Sequence, residues 1–239
     1  MIKRIIFDID NTLIPWKEEY NQEINKALEE FKIPYTEDDA KNISKAFFEY
    51  ENVYFTFEKN QMAKYINNYT YKNYPKELIE RIIQRWEACV PERIDSEIIQ
   101  LLEYLKQNYE MVILTDWFVS SQSQRLQKTN ILQYFQKVYG AEKTKRKPFP
   151  EAFLQAIGEN KPEECVIIGD DFKRDIQGAI NVGIQAFWYC PKLTQTMPEM
   201  ESQNMNIKEM PKKGNIDNRK SEECKYKVIN KLEELKKYL

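Results

Sequence analysis

The 239-residue sequence predicts an α/β protein whose doubly wound, mainly parallel sheet carries an all-helical insertion after its first strand. Two observations predict it. From Asp95 onward, short runs of β-branched and aromatic residues alternate with amphipathic helical spacings, the signature of a parallel sheet with helices on its faces. Between the first such run and Asp95, roughly eighty residues show helical spacing, too many for an ordinary crossover. No glycine occurs between Leu13 and Ile94.

The first strand is read in the run through Ile5, Ile6 and Phe7, which stops at two carboxylates, Asp8 and Asp10, followed by Asn11 and Thr12. Side chains two apart on an extended chain point the same way, but a turn after Asp8 lets these carboxylates diverge and serve different tasks. Asn11 is expected to shape that turn.

In the insertion, Trp16, Tyr20, Ile24, Leu28 and Phe31 recur at spacings of four and three and form one helix face. Thr36 with Asp39 resembles a capping box that opens a second helix, with Ile43, Phe47, Tyr50 and Tyr54 inward. A third helix is expected from Glu58 to Asn68. A fourth opens near Pro75 and carries Leu78, Ile82 and Trp86. Residues 15–91 are therefore expected to form a helical subdomain, leaving 1–14 and 92–239 as the core, with Pro15 and Pro91 at the hinges. Most of the insertion's aromatics are assigned to helix packing, and a minority to lining a pocket.

In the core, Ile98, Leu101, Leu102 and Leu105 make a helix face, Met111–Leu114 a strand, and a helix follows through Leu126. Lys137–Tyr139 reads as a short strand, Pro150–Ile157 as a helix and Cys165–Ile168 as a buried strand. Asp175–Asn181 is expected as a helix ending at Gly183, and Gln185–Tyr189 as the final strand. Residues 192–226 are polar and aperiodic, with Pro198, Pro211 and Gly214, and are expected to be a mobile loop or insertion. Tyr226–Leu239 recovers a helical pattern through Ile229, Leu232, Leu235 and Leu239.

A formal net charge of −2 gives no electrostatic case for nucleic acid or an anionic membrane as partner. Cys89, Cys165, Cys190 and Cys224 form no Cys-x-x-Cys pair, so neither a zinc site nor a disulfide framework is suggested. With no leader before the first strand and no apolar run of membrane-spanning length, the expected location is cytoplasmic. Histidine is absent, which excludes Ser-His-Asp and Cys-His mechanisms and histidine-ligated metals. Acid–base work falls to carboxylates, Lys, Tyr or Cys.

Three apolar runs end in carboxylates or hydroxyls: at Asp8, at Thr115-Asp116, and at Asp170-Asp171 with Asp175 following. Lys147 lies between the second and third, in Lys147-Pro148-Phe149-Pro150-Glu151. Ligands bind at the carboxyl ends of strands in open parallel sheets, so these groups are expected to share one crevice. Taken singly, each has a plainer reading. Thr115 can simply end a strand, Lys147 can be one of several surface lysines, and Asp171 and Asp175 can sit in a helix first turn favoured by the dipole.

The order Asp-x-Asp-x-Thr, Thr at a strand end, Lys-Pro-x-Pro-Glu and Gly-Asp-Asp-x-x-x-Asp resembles the haloacid dehalogenase-like hydrolase superfamily, over residues 5 to about 189. The resemblance implies a Rossmann-like core with a helical cap over the crevice. It implies Mg²⁺ held by the Asp8 carboxylate, the Asp10 backbone carbonyl and the Asp170 carboxylate, an oxygen shell suited to a hard cation. Asp8 is then the nucleophile, Asp10 the acid and later the base, while Lys147 and Thr115 stabilise the phosphoryl oxygens. Thr12, Asp116, Asp171 and Asp175 are supporting residues, with Asp175 expected to orient metal waters or Lys147.

The implied activity is Mg²⁺-dependent hydrolysis of a small phosphorylated metabolite through an aspartyl-phosphate. A phosphomutase or phosphonatase shares the core and differs mainly in the cap. A haloacid dehalogenase is disfavoured by Asp10, because halide displacement needs no protonated leaving group. The non-catalytic alternatives are a phospho-accepting module and a partner-binding relative. Nucleotides, sugar phosphates, flavin mononucleotide and glycolate-type phosphates stay open as substrates, and the oligomeric state is not read from the sequence.

Overall fold

The computed structural model describes residues 1–15, 20–191 and 226–239. Its sheet has the order β3-β2-β1-β4-β5-β6. The strands are β1 (Arg4–Phe7), β2 (Glu110–Leu114), β3 (Lys137–Tyr139), β4 (Cys165–Gly169), β5 (Gln185–Tyr189) and β6 (Tyr226–Ile229). Every neighbouring pair is parallel. Ile6 lies beside Val112 on one side and Ile167 on the other, which puts β1 at the centre.

Strand alternation divides the apolar runs between two faces. Ile5, Phe7, Ile113, Val166 and Ile168 share one cluster with Leu101, Leu102 and Leu105 of α5 (Ser96–Leu105). Ile6, Val112, Leu114 and Ile167 share another with Phe153 of α7 (Pro150–Ile157) and Ala179 of a one-turn helix (Gly178–Asn181). Both faces being covered, the strands read as continuous apolar runs rather than alternating ones. Each fully buried Ile or Phe contributes about 1.5–3 kcal/mol, so these runs anchor the strands whose ends carry the polar residues.

Between β1 and β2, besides α5, lie α1 (Tyr20–Glu30), α2 (Glu37–Val53), α3 (Lys59–Thr70) and α4 (Lys76–Trp86). The capping box forms: Asp39 N–H donates to Thr36 Oγ1 (3.2 Å) and Thr36 N–H to Asp39 Oδ2 (2.9 Å). Glu58 caps α3 by accepting from the N–H groups of Asn60 and Gln61, and Pro75 occupies the N-cap of α4. These four helices bury Ile24, Leu28, Ile43, Tyr50, Leu78 and Ile82 in a cluster of their own, which Phe118 and Ala141 join from segments after β2 and β3.

Several expectations need correction. Gln185–Tyr189 is not the final strand, because Tyr226–Ile229 adds β6 beside it, and Leu232–Lys237 is a 3₁₀ helix rather than part of one long helix. The apolar spacing through Ile229, Leu232 and Leu235 fits either state, and ladder bonding to β5 decides it: those three side chains join the same core cluster. The expected helix from Asp175 is a π-helical turn, Phe172–Gln177, followed by the one-turn helix. The expected start of the first insertion helix at Trp16, and the 192–226 loop up to residue 225, lie outside the described residues.

Candidate active site

Three neighbouring strands deliver their next residues to the same edge. Asp8 continues the β1 ladder, its N–H donating to Ile168 O (2.9 Å), and its carboxylate stands just beyond the sheet. Thr115 follows β2, bonded through its N–H to Tyr139 O (2.9 Å), and Asp170 follows β4. Asn11, the residue after Asp10, takes a left-handed φ of 58°, a conformation Asn tolerates, and turns the chain immediately beyond the two aspartates.

Lys147 arrives on the loop before α7, held by its N–H to Asp116 Oδ1 (2.8 Å). Its ammonium is buried, donating to Asp8 Oδ1 (2.7 Å) and to Asp175 Oδ1 (2.6 Å). Asp175 is brought in by the π-helical turn, which Asp171 caps by accepting from Arg174 N–H (2.9 Å). Gly169 makes room for it, since a Cβ there would lie 2.2 Å from Asp175 Oδ2.

Burial dominates the electrostatics. It pushes the Asp175 carboxyl up to about 8 against the opposing pull of Lys147, and raises Asp8 as well. Burial, with the charge of Asp8, pushes Asp170 up to about 7. Burial would lower Lys147, but Asp175 and Asp8 hold it well above its usual range, so it is an ammonium. Three carboxylates against one ammonium leave a net negative charge in a dry place, a condition a bound cation relieves. Asp8, Asp170 and Asp175 each offer an oxygen within 4.8 Å of one another. That all-oxygen set fits a hard divalent cation.

The other expected residues are distributed around this group. Asp10 turns its carboxylate away from the acidic cluster, toward Arg125 and Gln122 of α6 (Val119–Lys128): Arg125 Nη1 donates to Oδ1 (2.7 Å) and Gln122 Nε2 to Oδ2 (2.9 Å). Gln122 Nε2 also donates to Thr115 Oγ1 (3.0 Å). Thr12 is buried, and its Oγ1 has no hydrogen-bond partner among the described residues. Asp116 also faces Arg174 Nη1 at 3.4 Å. Asp171 is held below its usual range because Arg174 outweighs its burial.

Asp8, Asp10, Thr115, Asp116, Lys147, Asp170, Asp171 and Asp175 all line one cavity of about 300 Å³. The cavity is also lined by aromatic residues, Phe47, Phe48 and Trp86 of the insertion and Trp117 after β2. Glu51 of α2 reaches across to Arg174 Nη1 (3.3 Å), and Arg146 Nη2 donates to Glu51 O (2.9 Å).

Sequence reasoning missed Arg125, Gln122, Arg174 and Glu51. Polar side chains on helices read as solvent-facing, yet Ser121, Gln122 and Arg125 are all buried. Their spacing of one and four, on the side of α6 that also holds buried Leu126, was the available signal.

The profile described as haloacid dehalogenase-like hydrolase matches residues 5–189. Among known proteins, the chain is similar to YfnB of Bacillus subtilis, named as a putative HAD-hydrolase, 24% identical over 83% of this chain and 88% of that one. It is also similar to pyrimidine 5'-nucleotidase PynA of Streptococcus pneumoniae, 29% identical over 41% of this chain, a match that spans 44% of the nucleotidase's length. A third match, 32% identical over 37% of this chain and 38% of the relative, is to glyceraldehyde 3-phosphate phosphatase of Pyrococcus furiosus. Of solved structures, YfnB bound to magnesium superposes with a TM-score of 0.68 at 20% identity, covering 99% of this chain and 98% of that chain. A HAD phosphatase from Thermococcus onnurineus gives 0.61 at 22% identity, covering 99% and 97%.

Proposed function

This chain belongs to the haloacid dehalogenase-like hydrolase family, and from that premise we propose that it is a Mg²⁺-dependent phosphatase of small phosphorylated metabolites. The observation that carries the reading is the pair of carboxylates in one cavity. Asp8 is bonded to the buried Lys147, and Asp10 stands two residues on with its carboxylate in a separate set of bonds. One suits a nucleophile and the other a proton carrier.

Asp8 attacks phosphorus, forming an acyl-phosphate bond as the ester P–O bond breaks. Asp10 gives its proton to the departing oxygen, then takes one from the water that hydrolyses the aspartyl-phosphate and regenerates Asp8. Lys147 places positive charge where the phosphoryl oxygens gather, and Thr115 adds a hydroxyl donor at the same edge. Asp8 and Asp170, with the Asp10 backbone carbonyl, would hold Mg²⁺, while Asp175 anchors Lys147 within reach of the same ion. Bound there, the ion supplies charge that lets an anionic carboxylate approach an anionic ester.

Residues 15–91 act as the cap: their helices supply aromatic residues to the cavity lining, and the Glu51–Arg174 pair ties α2 to the core. The phosphatase names of the relatives support phosphomonoester chemistry. Asp10 favours it over halide displacement. The test is phosphate release from a metabolite panel with Mg²⁺, with EDTA and for Asp8→Asn. Metal-dependent release lost in the variant supports the reading, and no release from any ester by folded, Mg²⁺-supplied protein overturns it.

A further inference from the structure

We propose that Arg125 and Gln122 form a clamp that positions Asp10 for proton transfer to the leaving group, and that Tyr20 of the insertion holds the clamp. The inference rests on the phosphatase reading and deepens it. Both oxygens of Asp10 are engaged: Oδ1 accepts from Arg125 Nη1 (2.7 Å) and Oδ2 from Gln122 Nε2 (2.9 Å). The two clamp residues are bonded to each other, Arg125 Nη1 donating to Gln122 Oε1 (2.7 Å). Gln122 reaches on to Thr115 Oγ1, and Arg125 Nη2 donates to the Tyr20 hydroxyl (2.9 Å).

The placement is costly for a purely structural device. Arg125 is 3% exposed and Gln122 1%, so both have given up water, while Asp10, whose side chain is 31% exposed, opens onto the cavity. Apolar residues of similar volume would fill α6's inner face with no charge to desolvate. What the polar pair adds is direction, since a carboxylate gripped at both oxygens has one orientation. Each oxygen retains a further lone-pair site, so the grip leaves room for the proton that Asp10 donates to an ester oxygen.

Tyr20 extends the clamp into the helical insertion. Its hydroxyl donates to Cys89 O (3.1 Å) while accepting from Arg125, and Trp86 Nε1 donates to Tyr20 O (2.9 Å). The end of α4 and the start of α1 therefore bear on the guanidinium that bears on Asp10.

A positioning role predicts that the loss depends on the leaving group. A p-nitrophenolate leaves without a proton, whereas a phenolate depends more on one. The parameter to compare is kcat/KM, which reports only steps up to formation of the aspartyl-phosphate. For Arg125→Met and Gln122→Leu, kcat/KM should fall for phenyl phosphate by about tenfold more than for p-nitrophenyl phosphate, since displaced acids forfeit general-acid catalysis worth ~10²–10⁴. Arg125→Lys, which keeps one donor, should recover part of the selective loss, and Tyr20→Phe should show a smaller loss in the same direction. Equal losses for both esters in the folded variants would overturn the clamp while leaving the phosphatase reading intact. No turnover of either ester by the wild type with Mg²⁺ would overturn both. If Arg125→Met does not fold, Gln122→Leu and Tyr20→Phe carry the same comparison.

Discussion

Lys147 Nζ lies 2.7 Å from Asp8 Oδ1 across 139 residues of chain, and the same nitrogen binds Asp175 Oδ1 at 2.6 Å. One buried ammonium thus neutralises part of a carboxylate cluster and fixes the loop before α7 to the end of β1. Replacing it with Met should cost about 3–5 kcal/mol in urea denaturation, because the partners are left buried and uncompensated. The double variant Lys147→Met/Asp175→Asn should regain part of that loss. A double variant no more stable than the single would argue against charge as the cause.

Adding Mg²⁺ should raise the melting temperature, since an ion that binds only the folded cluster stabilises it by about 2.7 kcal/mol at a hundred times its Kd. EDTA should reverse the gain, and Asp170→Asn should remove most of it. A melting curve indifferent to Mg²⁺ would count against a metal held by Asp8 and Asp170.

Gly169→Ala tests how closely the π-helical turn must approach β4. Its Cβ would fall 2.2 Å from Asp175 Oδ2 and 2.3 Å from Asp175 Cγ, so the carboxylate has to move. Overpacking of this kind costs about 1–3 kcal/mol, and activity should fall further than that stability loss explains, because Lys147 loses its anchor. Calorimetry alongside phosphate-release assays would separate the two effects.

The capping box of α2 should be visible in the pH dependence of stability. Hydrogen bonds from Lys72 and from Thr36 push Asp39 down to about 2. A depressed folded-state value means the contribution is fully present above the unfolded value of ~3.9 and is lost as pH falls from there toward the folded one. Asp39→Asn should therefore cost up to about 1 kcal/mol near neutrality, and its gap from wild type should narrow below about pH 4. A gap independent of pH would mean the carboxylate charge plays no part.

The elements that sequence reading placed well are those with a local cause. Asp8, Thr115 and Asp170 follow apolar runs, and strand-end geometry alone carries them to one cavity. Lys147 was marked by its prolines, and Thr36 with Asp39 by spacing. Features set by contacts between distant segments were not legible in the same way. Whether Tyr226–Ile229 is strand or helix depends on β5 being beside it. Arg125 is buried because Asp10 and Tyr20 meet it from elsewhere in the chain, and no window around α6 contains either.

The apolar cluster of α1–α4 shares no residue with the two that flank the sheet, among the described residues, and this separation bears on how the protein can diverge. Substitutions at Ile43 or Leu78 perturb a set of neighbours that does not include the strands, so heritable variation there is screened from the carboxylate cluster at Asp8. The exceptions belong to that cluster and also line the cavity: Tyr20, whose hydroxyl meets Arg125, and the aromatic pair Phe47 and Trp86. A combinatorial library confined to those two positions and Phe48 would sample new substrate ranges while leaving the register of β1, β2 and β4 untouched.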